Sequence, residues 1–313
     1  MRRVRAPEFL VGRLDTAALT RARYALYGAV GRLAGRRAPT PYRPVFVIGT
    51  GRCGSTLFQR IMASHGALAD FPGEANELWY PAAYPYAART IETPPIVVDP
   101  AGFTRRAVAA WAPGHAEHIK RVAAGFLLTE GRGARRVLFK SAMISFLVPE
   151  LLEIFPDARF VHLYRNGFSV VESFAKKEWH KYADIMASPD EYRRHAAGYW
   201  NACLEEIARV GHELELVASG RLHELSYEEL CAAPRETLAS LAGFLEIDAS
   251  GFGYDVSRIR SSNDKAAALA SSPLGAELRA IMESQMNARG YGGRPRATLR
   301  KPPRTGPSGR GLA

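Results

Sequence analysis

Residues 49–58, GTGRCGSTLF, directly follow a short apolar run, VFVI at Val45–Ile48. Successive backbone N–H groups over residues 51–56 can wrap an anionic group, and a helix starting near Ser55 adds its positive end. Gly51 and Gly54 carry no Cβ to hold an anion away, and Ser55 and Thr56 offer hydroxyl donors. Gly49 and Gly54 keep the spacing of a nucleoside-triphosphate loop, in which a lysine follows the second glycine. Here Ser55 occupies the lysine position, and the cation of the loop is Arg52, beside Cys53. The pattern suits a phosphate and leaves open which phosphate compound does without the lysine.

A second cluster follows the apolar run ARFVHL. Tyr164 and then RNGFSVVES place Arg165 at the end of a strand and Ser173 eight residues on, about two turns into a helix. An arginine and a hydroxyl so placed can clamp a second phosphate. Lys140 ends another apolar run. His115 and His118 are three apart on a predicted helix without a third ligand in view, and they read as surface residues rather than metal ligands.

These residues need a frame. Residues 8–35 have apolar positions at helical spacing (Leu14, Ala18, Ala22, Leu26, Val30) with arginines between them, which predicts an amphipathic helix. Pro39, Pro41 and Pro44 end it. Strands are expected at Val45–Ile48, 137–139, 159–163 and 221–225. Helices are expected from Ser55, over 103–130, 147–155, 168–179 and 190–218, and within 227–245. Residues 71–95, rich in proline, tyrosine and tryptophan, read as an excursion. The alternation predicts an α/β fold, a P-loop-like three-layer sandwich with a central parallel sheet and helices on both faces. Ligands of such sheets bind at the carboxyl ends of the strands, which puts the loop after Ile48, Lys140 and Arg165 on one rim.

The net charge of +11 is unevenly placed. Residues 1–44 hold ten arginines against Glu8 and Asp15, a net +8, and residues 289–313 hold seven basic residues and no acid. That leaves residues 45–288 mildly acidic, at −4. The chain divides accordingly into a basic, partly helical arm (1–44), a catalytic-sized domain (45–293) and a basic, disordered tail (294–313). The body lacks the basic–aromatic interleaving of a nucleic-acid surface. Three scattered cysteines, Cys53, Cys203 and Cys231, form neither a disulfide framework nor a zinc site and suggest a reducing compartment, with cytoplasm as the default. No apolar run reaches the ~20 residues that span a bilayer.

Taken together, GTGRCGSTLF and LYRNGFSVVES resemble the 5′-phosphosulfate loop and 3′-phosphate motif of the sulfotransferases that use 3′-phosphoadenosine 5′-phosphosulfate (PAPS). The similarity extends through VLFKSAMISFLVPELLEIFPDARFVHLYR, ELSYEELCAAPRETLASLAGFLEI and SSNDKAAALASSPLGAELRAIMESQMNARGYG, about residues 45–293. It is closest to the bacterial, carbohydrate and protein-tyrosine branch. The resemblance implies PAPS as sulfuryl donor, with no metal. Gly51, Arg52, Cys53, Gly54, Ser55, Thr56, Arg165 and Ser173 would bind it, with Tyr227 on the cofactor side and Ser261, Ser262 and Lys265 completing the contacts. It implies Glu74 as general base, with Glu77 and His65 as alternatives, and Arg52 and Lys140 as stabilisers of developing charge. Ser141 and Ala142 stand where many relatives have a proline nearby, and Asn166 replaces a frequent aspartate. Phe71, Trp79, Tyr80, Tyr84 and Tyr86 are candidates to line the acceptor pocket. The acceptor would be a hydroxyl of a sugar, lipid, tyrosine or small molecule, and the basic N-terminal arm is the segment expected to touch a membrane peripherally. Two rival readings are a P-loop kinase or NTPase, and a non-catalytic scaffold acting through the basic arms.

Overall fold

Five short runs pair into one sheet, three of them rich in β-branched or aromatic residues. The computed structural model describes residues 16–81, 94–183, 185–261 and 266–292. Strands β1 (Val45–Ile48), β2 (Leu68–Asp70), β3 (Arg136–Lys140), β4 (Arg159–Tyr164) and β5 (Leu222–Ser226) are all parallel, in the order β2-β3-β1-β4-β5. The helices are α1 (Thr16–Ala34), α2 (Ser55–Met62), α3 (Asn76–Trp79), α4 (Pro100–Ala109), α5 (His115–Glu130), α6 (Val148–Ile154), α7 (Gly167–Glu178), α8 (Pro189–Glu213), α9 (Tyr227–Ala232), α10 (Pro234–Leu245), α11 (Ala267–Ala270) and α12 (Pro273–Ala288).

Alternate residues of a strand face opposite sides, and β1 shows the consequence. Val45 and Val47 join Phe58, Ile61, Leu230 and Leu241 in a core on one face. Phe46 and Ile48 join Trp79, Phe139, Phe155 and Phe160 in the larger core on the other. This is the three-layer α/β architecture the alternation predicts. Register aligns Val47 with Lys140, Ile48 with His162 and Tyr164 with Ser226. The residues that follow β1, β4 and β5, with Lys140 at the end of β3, therefore share one rim.

Polar residues fix where the helices on that rim begin. The Asn166 side chain accepts from the Phe168 and Ser169 N–H groups at the start of α7. Ser226 and Glu229 form a reciprocal capping box on α9, and Ser188 caps α8. Asn166 thus supplies the cap oxygen that an aspartate would.

Helix α1 packs on α5 and places Tyr24 and Tyr27 in the main core. The backbones touch there: a Cβ on Gly31 would stand 2.2 Å from the Arg121 carbonyl oxygen. Arg23 and Tyr27 both bond Glu130 of α5. The segment drawn as an arm over 1–44 thus contributes its helix to the body, while residues 1–15 and 293–313 lie outside the described residues.

The single helix expected over 103–130 is two helices. Pro113 lacks an N–H, and Gly114 adopts a left-handed φ of 78° at the start of α5. The helix expected over 190–218 ends at Glu213. Strand β2 was not predicted, because three residues carry too little alternation to read. Phe71, Trp79 and Tyr80 pack in the core and are not among the residues that line the main cavity; Tyr84 and Tyr86 lie outside the described residues. Large aromatic rings gain more from burial beside β1 and β3 than from a wet cleft.

Candidate active site

The loop after β1 reaches α2 through two left-handed residues, Arg52 at φ 67° and Gly54 at φ 98°. No side chain caps α2. Its first N–H groups have no intrahelical acceptor, although Ser55 also bonds the buried Cys53 thiol. The absence of Cβ atoms is needed here. A Cβ on Gly54 would stand 2.4 Å from the Tyr227 ring, and one on Gly51 2.8 Å from the Phe174 ring. Cys53 points the other way, into the core, and burial pushes its thiol up to about 11, so it packs and does not react.

The two arginine clusters meet. Arg165 is 6% exposed, lies 4.4 Å from the centroid of the Tyr227 ring, and donates from Nη1 to the Arg52 carbonyl at 3.3 Å. The Trp200 Nε1–H donates to the Arg165 carbonyl at 3.1 Å. Arg52 Nε donates to Ser173 Oγ at 3.2 Å, and its Nη1 lies 3.8 Å from Glu178 Oε1. Arg52, Gly54, Ser55, Thr56, Arg165, Ser173, Tyr227 and Glu74 all line one cavity of about 400 Å³. Sequence reading missed the rest of its wall. Tyr182, Tyr192 and Tyr199 line it from the end of the α7 region and from α8, with Glu178 and Lys181. Phe174, next to Ser173 in sequence, was the available signal.

Glu74 sits in a twisted turn, between Gly73 at φ 73° and Ala75 at φ 54°. Trp79 Nε1 donates to the Glu74 carbonyl at 3.1 Å. The carboxylate pairs through Oε1 with Lys140 Nζ at 2.5 Å and accepts from Asn76 Nδ2 at 3.3 Å. Asn76 Oδ1 in turn accepts from Ser141 Oγ at 2.8 Å, and Ser141 Oγ also accepts from the Met143 N–H. Ser141, which departs from the resembled pattern, thereby orients the amide that orients Glu74. A left-handed alanine is costly, and its place beside a cleft carboxylate marks a backbone held for aim.

The other sequence candidates fall elsewhere. His65 is buried with Nε2 at 2.8 Å from the Asp248 carbonyl, and Nδ1 accepts from the Ala67 N–H; it is outside the cavity and holds a turn. Glu77 lines a second cavity of about 320 Å³, together with Thr20, Arg23, Tyr24 and Glu74. Ser261 is exposed, and Ser262 and Lys265 lie outside the described residues. His115 and His118 are half-buried rather than on the surface; His115 Nε2 lies 2.9 Å from the Leu78 carbonyl.

An anionic cofactor fits this donor set. The N-terminus of α2, the loop glycines Gly51 and Gly54 and the two arginines converge on one cavity.

Residues 44–251 match the model of the sulfotransferase family. An uncharacterized protein of Aquifex aeolicus is 26% identical over 225 residues, which are 70% of this chain and 27% of that relative, so the match spans about a quarter of its length. Among solved structures, sulfotransferase STF9 from Mycobacterium avium covers 86% of this chain and 82% of its own at a TM-score of 0.57 and 15% identity, a likeness of fold. The sulfotransferase domain from the curacin biosynthetic pathway covers 80% of this chain and 98% of its own, at 19% identity and a TM-score of 0.49.

Proposed function

Because the chain belongs to the sulfotransferase family, we propose that it moves a sulfuryl group from PAPS to a hydroxyl acceptor, with Glu74 as the general base. The observation that carries this reading is the shared cavity: Glu74 faces the same space as Arg52, Arg165 and Ser173. Bound PAPS supplies a sulfuryl group activated by its 5′-phosphate leaving group.

Arg165 and Ser173 hold the 3′-phosphate, and the 51–56 loop, with Cys53 contributing backbone only, holds the 5′ end. Tyr227 backs the Arg165 guanidinium and closes the loop side. Arg52 and Lys140 stabilise charge as it leaves the acceptor and reaches the 5′-phosphate, a role in which fixed dipoles and cations dominate. Glu74 accepts the hydroxyl proton. Lys140, 6% exposed on its side chain against 42% for Glu74, keeps the carboxylate aimed from the buried side and leaves its outer edge to the acceptor. Glu77 and His65 lack access to the main cavity and are set aside as bases. Ser261, Ser262 and Lys265 remain expected donors to the cofactor. The acceptor is a hydroxylated molecule of a class that the cavity wall beside Glu178, Lys181 and Tyr182 selects.

The test has two arms. PAP without metal is expected to raise the melting temperature, since a ligand at about 100 times its Kd adds about 2.7 kcal/mol. Radiolabelled PAPS is expected to label hydroxylated acceptors in a panel of sugars, phenols and lipids. Stabilisation by Mg-ATP and none by PAP would overturn the reading in favour of a P-loop kinase or NTPase.

A further inference from the structure

Helix α1 has two unlike faces. Tyr24, Tyr27, Gly28 and Gly31 turn inward and are buried. On the opposite side Leu19, Leu26 and Leu33 are 50%, 57% and 88% exposed. They recur every seven residues, and seven residues of α-helix fall only about 20° short of two turns, so the three lie along one line. Ala22 and Ala29, also exposed, fill the places between them. Among the described residues the other large exposed hydrophobics are Tyr42, Leu128, Ile185, Leu214, Val217 and Ile281; only Leu214 and Val217 share a segment, and none forms such a line. Scattered exposed leucines need no explanation, whereas a continuous apolar stripe marks an interaction surface.

Charge identifies the partner. Helix α1 contains no acidic residue, and Arg32, Arg36 and Arg37 are exposed at its C-terminal end. Residues 1–44 carry +8, and residues 45–288 carry −4. A second copy meeting this one stripe to stripe would bring two such cationic segments together. A nucleic acid would engage the arginines and leave the leucines in water. An anionic lipid surface takes both: leucines enter the boundary between headgroups and acyl chains, and arginines pair with the headgroups. The acidic body is repelled by the same surface, which fixes the face that lands. No described helix is long and apolar enough to cross a membrane, so α1 would lie in the interface plane.

We infer that the exposed Leu19–Leu26–Leu33 face of α1 docks this protein on anionic bilayers. The inference does not rest on the transfer chemistry, and its test reads binding alone. The full chain is sedimented with vesicles of phosphatidylcholine and with vesicles that also contain phosphatidylserine. The wild type is expected to pellet with the anionic vesicles and not with the neutral ones. Leu26→Asn with Leu33→Asn is expected to weaken that binding roughly tenfold or more, and Arg32→Gln with Arg36→Gln by roughly tenfold. All four side chains are exposed, so unchanged circular dichroism and melting temperature are expected of both double variants. Wild type left in the supernatant with anionic vesicles overturns the proposal, as does leucine-independent binding. A vesicle-free dimer in light scattering that the leucine variant dissolves also overturns it, because the stripe would then be a self-association surface.

Discussion

Arg165 and Arg52 face one cavity, yet they are held in opposite ways. Arg165 is buried, stacked on Tyr227 and anchored through its backbone by Trp200, and the residue after it caps α7. Arg52 sits on a left-handed backbone with its side chain 35% exposed, and it shares its guanidinium between Ser173 and Glu178. One cation is fixed before any ligand arrives. The other already has an acidic neighbour that a bound phosphate must displace. This inequality divides the labour in the proposed function. On that proposal the Arg165 end would fix and select the nucleotide, and the Arg52–Lys140–Glu74 end would carry the chemistry.

The largest effect that tests this division belongs to Glu74. Glu74→Gln keeps the shape and the contact with Lys140 but cannot accept a proton. We expect kcat to fall by about 10²–10⁴-fold, the contribution of a positioned base. The affinity for PAP, measured by calorimetry, is expected to stay within about twofold, within the spread of surface substitutions. An equal loss in affinity and turnover would erase the distinction between the two ends.

A smaller effect separates the two arginines. Arg165→Ala is expected to weaken PAP by roughly tenfold to a hundredfold, the range for hydrogen bonds to charged groups. The same change should leave an analogue without the 3′-phosphate nearly unaffected. Arg52→Ala should weaken both ligands alike and lower kcat more than Arg165→Ala does. If the 3′-phosphate makes no difference to the Arg165 variant, Arg165 does not serve that end.

The same contrast explains what could be read from sequence. The geometry of the rim around β1 and β4 was legible because it is local: Gly51, Gly54 and a strand-to-helix turn follow one another in sequence. Arg165 and Ser173 lie on one continuous strand–helix unit, so their spacing carried their geometry. The Glu74 side was only partly legible. The turn that aims Glu74 depends on Asn76 and Trp79 of α3, which are local, and on Ser141 after β3, which is far away in sequence. The aromatic wall was misplaced for a related reason. Phe71, Trp79 and Tyr80 are near Glu74 in sequence, but they complete the core beside β1 and β3. Tyr182, Tyr192 and Tyr199, more than a hundred residues from Glu74, reach the cavity because α7 and α8 pack together. Likewise, the inward face of α1 depends on close contact with Gly125 of α5, which no local pattern announces.

The smallest expected effect probes what stands behind the fixed end. His162 of β4 is wholly buried; its Nδ1–H donates to Glu224 Oε1 at 3.1 Å, and no partner is found for Nε2 among the described residues. Arg289 bonds the same carboxylate, with its guanidinium 4.7 Å from the Tyr164 ring centroid. Burial opposes charge on Glu224, but the bonds from His162 and Arg289 outweigh it and bring the carboxyl down to about 2. Burial drives His162 below its usual 6.5, against the pull of Glu224. Below about pH 6.5 the unfolded chain therefore takes up a proton that the folded chain refuses, so stability falls as pH falls. The Glu224 contribution has the same sign in a lower window: it is present above about 4.5 and lost toward 2. Melting temperature is thus expected to drop by a few degrees between about pH 7 and pH 5, at up to about 1.4 kcal/mol per pH unit for one proton. His162→Gln still donates to Glu224 but does not titrate, and its melting curve should be flatter over that interval. Because His118 is also lowered by burial, the variant should flatten the slope without abolishing it. An unchanged slope would mean that His162 does take the proton when folded, and that the support behind Arg165 yields as readily as the Arg52 end.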